Sequence, residues 1–196
     1  MPFHFYSNTK NSAAVLVLAL SAFILIILGL MLAWSNLKSG DNQDIDDINA
    51  YTPAVPVETS AQSPELNLTN LKGEPVSLLD YRGKTILVNN WAFWCPPCRA
   101  ELPELQAYYK KHKNQDFVII GIESGSELED VDYHVKKYKL SYPIWLDPIE
   151  QAVLAFQNNA LPNSYVIDPD GKIVLMWSGP ANRQILEKYI TPFLEK

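Results

Sequence analysis

Two cysteines, Cys95 and Cys98, are all that 196 residues contain. That count excludes a disulfide-rich scaffold and a four-cysteine zinc site. Basic excess is missing too: 16 Lys and Arg stand against 22 Asp and Glu, giving a net charge of −6 and a pI of about 5.0. Nucleic-acid binding requires a basic patch, so that class is set aside. Histidine is equally scarce, with His4, His112 and His134 only. A copper or zinc carrier would need two of them beside the cysteines. His4, however, precedes a long apolar run, and the other two lie in charged helical stretches where solvated side chains are expected. No internal repeat or low-complexity segment is present. Neither a metal nor an organic cofactor is expected.

Charge is absent from residues 13–34, AAVLVLALSAFILIILGLMLAW. As a helix this run extends roughly 33 Å against a hydrocarbon core of about 30 Å, so it is expected to span a lipid bilayer. A cleaved signal peptide would have an apolar region of about 7 to 15 residues closed by small residues. Here bulky Leu32 and Trp34 close the run, and no cysteine follows, which excludes a lipoprotein anchor. Residues 1–12 are then a short N-terminal tail. Residues 35–60 carry Asp41, Asp44, Asp46, Asp47 and Glu58 against Lys38, with Pro53 and Pro56. They read as an acidic tether spanning roughly 28 Å r.m.s.. Lys10 and Lys38 flank the apolar run evenly and give no orientation signal.

Residues 61–196 read as one α/β domain. LNLTNLKGEPVSL is a hairpin signal around Lys72-Gly73-Glu74, and KTILVNNWA is an apolar run of strand length. A helix is expected to open at the cysteines, because Pro96 suits a first helical position, and Pro103 is expected to kink it. DFVIIGIES, YPIWLD and the pair within NSYVIDPDGKIVLMWSG predict further strands. ELEDVDYHVKKYK, EQAVLAFQN and ANRQILEKYI predict helices, the last interrupted by Pro192. Alternating strand and helix implies a parallel core with right-handed crossovers, ending in a hairpin at the sheet edge.

The cysteines sit in WAFWCPPCRAELP, with Pro103 eight positions after Cys95 and an isolated Leu161-Pro162 before the last hairpin. These features resemble the thioredoxin-like fold, a central mixed sheet flanked by helices with an N-terminal β-hairpin. More narrowly, they resemble the TlpA/ResA-type membrane-anchored thiol-disulfide oxidoreductases over residues 61–196. The resemblance implies an extracytoplasmic domain and a cis bond at Pro162, facing the disulfide, with Leu161 before it. It also implies reduction of exported protein disulfides, possible clients including apocytochrome c during haem attachment, and a membrane thiol transporter as electron donor. A general exported reductase or an oxidase remains the alternative. Asn89 stands where thioredoxins carry a buried carboxylate, and Asn90 stands where an apolar residue is usual. A core amide must find hydrogen-bond partners.

Cys95, just before the first helical turn, is the expected nucleophile, because free amides and the helix dipole stabilise a thiolate there. Cys98 is the expected resolving thiol. Neither Pro96 nor Pro97 carries an amide hydrogen, so Cys95 loses two donors and a reducing poise is expected. Glu101 lies three residues past Cys98, about 300° round the helix and so on nearly the same face. It reads either as the acceptor of the Cys98 proton or as a solvated glutamate that favours the helix start. Trp94 is expected to cover the disulfide and offer a flat surface, and Trp91 to pack in the core. With Trp94, residues Pro96, Pro97, Leu161 and Pro162 make up the expected substrate-binding rim. A structural staple closing about four residues would add only roughly 2 kcal/mol, which a domain of this size does not need. A peroxiredoxin-type peroxidase would place threonine three positions before its cysteine, where this chain has Ala92.

Overall fold

The computed structural model describes residues 10–39, 46–125 and 128–195. His4 and most of the expected tail lie outside the described residues, as do residues 40–45 of the expected tether. Two units separate, residues 1–43 and 44–196. The first contains α1 (Lys10–Ser39), whose segment Leu16–Trp34 has a mean hydropathy of 3.0 and is long and apolar enough to cross a bilayer.

The second unit begins with a 3-10 turn (Asp46–Ala50), followed by β1 (Val57–Gln62), β2 (Asn67–Asn70), β3 (Pro75–Ser77) and a second 3-10 turn (Leu78–Tyr81). β4 (Thr85–Trp91), α2 (Pro96–His112), β5 (Phe117–Ser124), α3 (Leu128–Lys137), β6 (Ile144–Asp147) and α4 (Gln151–Phe156) alternate through the centre. β7 (Asn163–Ile167), β8 (Lys172–Ser178), α5 (Arg183–Tyr189) and α6 (Thr191–Leu194) complete the domain. The sheet runs β1-β8-β7-β4-β5-β6-β2-β3, with β4, β5 and β6 parallel and the outer pairs antiparallel. This is the thioredoxin-like mixed sheet.

β4 and β5 are buried at every position, as strands covered on both faces must be. Alternation along β4 sends Leu87 and Trp91 into the cluster holding Cys95, Cys98 and Leu102, and Ile86 and Val88 into the cluster under Trp145. The site layer is therefore set by the odd-numbered residues of β4. Gly121 on β5 makes this layer tight: a Cβ there would lie 2.8 Å from Ile144 Cδ1, 3.1 Å from the Tyr142 ring and 3.3 Å from Trp91 Nε1. Gly121→Ala is expected to cost about 1–3 kcal/mol through overpacking, read as a lower denaturant midpoint at an unchanged slope.

Three expectations are corrected. Residues 46–60 are not tether. The first 3-10 turn packs on α2, the Ala54 amide donates to the Pro180 carbonyl at 2.8 Å, and β1 pairs along β8. β1 is almost wholly exposed, so it contributes ladder hydrogen bonds without an apolar alternation that would reveal it. For the same reason the β7–β8 hairpin is interior to the sheet rather than at its edge. His112 is buried rather than solvated: its ring lies 4.4 Å from that of Tyr108 and bonds Gln115 and Glu187.

Candidate active site

β4 ends at Trp91 and the chain turns once, closed by the Cys95 amide donating to the Ala92 carbonyl at 3.1 Å. Cys95 is then the N-cap of α2, with Pro96 and Pro97 opening the helix. The cysteines form a disulfide. A helix start presents unpaired amides, but two of the first three helical positions here are proline. The Cys98 amide donates to Cys95 Sγ at 3.3 Å. Cys95 is 4% exposed and Cys98 0%, so Cys95 is the sulfur at the rim.

Glu101 is 0% exposed, which removes the solvated reading. Its Oε1 accepts from Asn89 Nδ2 at 2.7 Å and its Oε2 from the Ala181 amide at 2.9 Å. Burial pushes its carboxyl from an ordinary 4.5 up to about 8, against the pull of those two hydrogen bonds. Asn89 Nδ2 also donates to Ser164 Oγ at 3.1 Å on the neighbouring strand. The carboxylate absent from position 89 thus reaches the same niche from the helix. Burial, and after it the Glu101 charge, pushes the Tyr142 phenol up.

The Leu161–Pro162 bond is cis and Pro162 is buried. Its carbonyl accepts from the Gly179 amide at 2.8 Å, two residues before Ala181. Among the described residues, no group bonds the amide or carbonyl of Leu161. Trp94 is 58% exposed, while Trp91 is buried in the core.

Comparison with known proteins decides the family. Residues 59–176 match the AhpC/TSA family. The ResA thiol-disulfide oxidoreductase of Bacillus thuringiensis subsp. konkukian is 30% identical over 140 residues, covering 71% of this chain and 81% of that protein. This chain belongs to the ResA-type thiol-disulfide oxidoreductases. The thioredoxin domain of a thiol-disulfide oxidoreductase from Bacteroides vulgatus superposes with a TM-score of 0.63 at 27% identity, covering 70% of this chain and 99% of that one. A thiol:disulfide interchange protein of the DsbE type from Chlorobium tepidum has the same fold, with a TM-score of 0.65 at 24% identity over 70% of this chain and 99% of that one.

In this ResA-type enzyme the redox centre is the cysteine pair itself. The structure gathers Cys95, Cys98, Trp94, Pro96 and Pro97 at the end of β4 and places Glu101 beneath them in the second turn of α2. Asn90 faces the opposite layer and donates to Asn163 Oδ1 at 2.6 Å, which satisfies its nitrogen, while its own Oδ1 is buried without a partner among the described residues. Sequence reading passed over Ala181, Arg99 and Glu123. Ala181 acts through its backbone, which no side-chain pattern reports. Glu123 carried a signal, a lone carboxylate in the apolar run FVIIGIES. Arg99 looked like one more helix cation. His134 bonds the Asp130 carbonyl on its own helix, and no group of three or more potential metal ligands is found among the described residues.

Proposed function

We propose that this chain is a membrane-anchored, extracytoplasmic protein-disulfide reductase, held to the lipid bilayer through residues 13–34. The observation that carries the reading is Cys95 at the rim of a helix start where the Cys98 amide is the donor to its sulfur. A thiolate with so few donors is held less strongly than in oxidising motifs, which favours giving electrons away.

In the reduced enzyme the Cys95 thiolate attacks a client disulfide, forming a mixed disulfide and releasing one client sulfur as a thiol. Cys98 then loses its proton and attacks Cys95 Sγ, expelling the second client thiol and closing the Cys95–Cys98 bond. Two electrons reach the client with two protons, one from Cys98 by way of Glu101 and one from water, since Cys95 attacks as the thiolate. Glu101 in its ionised form takes the Cys98 proton: its carboxyl, raised to about 8, is matched to a thiol near 8.5, so the step quickens as pH rises through 8. An extended client segment pairs with the Leu161 backbone beside Pro162 and rests on Trp94, Pro96 and Pro97. A membrane thiol transporter restores the dithiol. The TlpA/ResA-type resemblance supports apocytochrome c, oxidised at its CxxCH site, as the narrower client.

The reduction potential is expected to lie below about −150 mV; a value above it, in the range of oxidases, would overturn the reductase assignment. A CxxCH disulfide peptide reduced no faster than an unrelated disulfide peptide would favour a general reductase over the cytochrome role.

A further inference from the structure

We infer that Glu123 and Arg99 form a clamp on Phe93 that positions Cys95 for attack. Phe93 is gripped on both of its peptide groups. Its amide donates to Glu123 Oε1 at 3.3 Å, and its carbonyl accepts from Arg99 Nη1 at 2.8 Å. Its ring lies 5.4 Å from that of His134. Three elements, β5, α2 and α3, therefore converge on a residue two places before the attacking sulfur.

Packing alone gives no reason for Glu123. It is fully buried and in register with Trp91, at the end of a strand that is otherwise almost entirely apolar. Burying a carboxylate is costly unless its bonds do something that an apolar side chain cannot. Here it accepts from the Phe93 amide, a bond that ties the turn to β5. Arg99 binds the same turn twice, because its own amide also donates to the Cys95 carbonyl at 3.1 Å. With the Cys95 amide bonded to Ala92, the turn from 92 to 95 is tied at both ends, and Cys95 Sγ is held over the Cys98 amide.

The clamp is separate from Glu101, which bonds Asn89 and Ala181. Both Glu123 and Arg99 are positioning residues, acting through the backbone of Phe93. The role rests on Cys95 being the attacking thiol.

The test uses the full chain in detergent, reduced, with iodoacetamide alkylation of the Cys95 peptide followed by mass across pH, and with exchange against an oxidised model peptide. Glu123→Leu removes the acceptor, whereas Glu123→Gln keeps an acceptor oxygen and removes the charge. Expected are an exchange rate about tenfold lower and an alkylation midpoint moved to higher pH in Glu123→Leu, with both near wild type in Glu123→Gln. A folded Glu123→Leu chain that matches wild type in both would overturn the clamp. So would equal slowing in the two variants, since the charge and not the held amide would then act. Where Glu123→Leu fails to fold, Arg99→Met and Arg99→Lys decide: slowing in the first with rescue in the second supports the clamp, and wild-type behaviour of Arg99→Met overturns it. Preferential alkylation of Cys98 in the wild type would overturn the nucleophile assignment and the clamp with it, whereas an unchanged Glu123→Leu with Cys95 still alkylated first overturns the clamp alone.

Discussion

A chain carrying Cys98→Ser attacks a client disulfide once and stays joined to it. Cys98 is the 0% exposed partner of a sulfur at the rim, so a client reaches Cys95 and not Cys98. A serine hydroxyl does not displace a thiol from the mixed disulfide, and release therefore stops. Turnover is expected to fall to the uncatalysed level while a covalent complex accumulates that dithiothreitol dissolves. Cys95→Ser gives the same loss of turnover without the complex. Complex formation by Cys95→Ser and not by Cys98→Ser would reverse the two roles. Identifying the trapped proteins also separates one apocytochrome client from many unrelated ones.

Glu101→Gln is expected to make the protein more stable at alkaline pH and slower in exchange. The Glu101 carboxyl rises from 4.5 when unfolded to about 8 when folded, mainly through burial. Between those values the folded chain keeps a proton that the unfolded chain releases. The stability this group contributes is thus complete below about pH 4.5 and lost progressively as pH rises towards 8. By pH 9 the loss amounts to roughly 3–5 kcal/mol. Glutamine does not titrate. The Ala181 amide can still donate to its oxygen, and a rotated Asn89 amide presents an oxygen to its nitrogen. The melting-temperature gap between variant and wild type should widen from pH 5 to pH 9, reaching roughly 10 °C. A constant gap would place the Glu101 carboxyl near its ordinary value. The rate profile for the Cys98 step should lose its inflection near 8 together with the base.

The strands of the central sheet were legible because burial on both faces leaves apolar runs such as TILV and FVII, and the helix start was legible from Cys-Pro-Pro-Cys. β1 was not, because VETSAQ binds through its backbone and leaves its side chains in water. His112 misled for a related reason: its neighbours Lys110, Lys111 and Lys113 mark a wet helix end, yet the ring turns inward to Tyr108 and Glu187. At the site, spacing placed Glu101 on the face of Cys98 but not its burial, which depends on Ala181, 80 residues away in sequence. Glu123 and Arg99 both bond the backbone of the same phenylalanine, a relation invisible to any one-dimensional pattern.

Asn89 and Glu101 share one niche, with 2.7 Å between the amide nitrogen and the carboxylate oxygen. Space and dielectric there admit a single acid, since two carboxylates at that distance do not both ionise. The acid can therefore be supplied from the strand or from the helix, but not from both at once. An aspartate introduced at 89 should be tolerated only alongside a neutral residue at 101. Among related chains the two positions are thus expected to change together, as alternative mountings for the same proton.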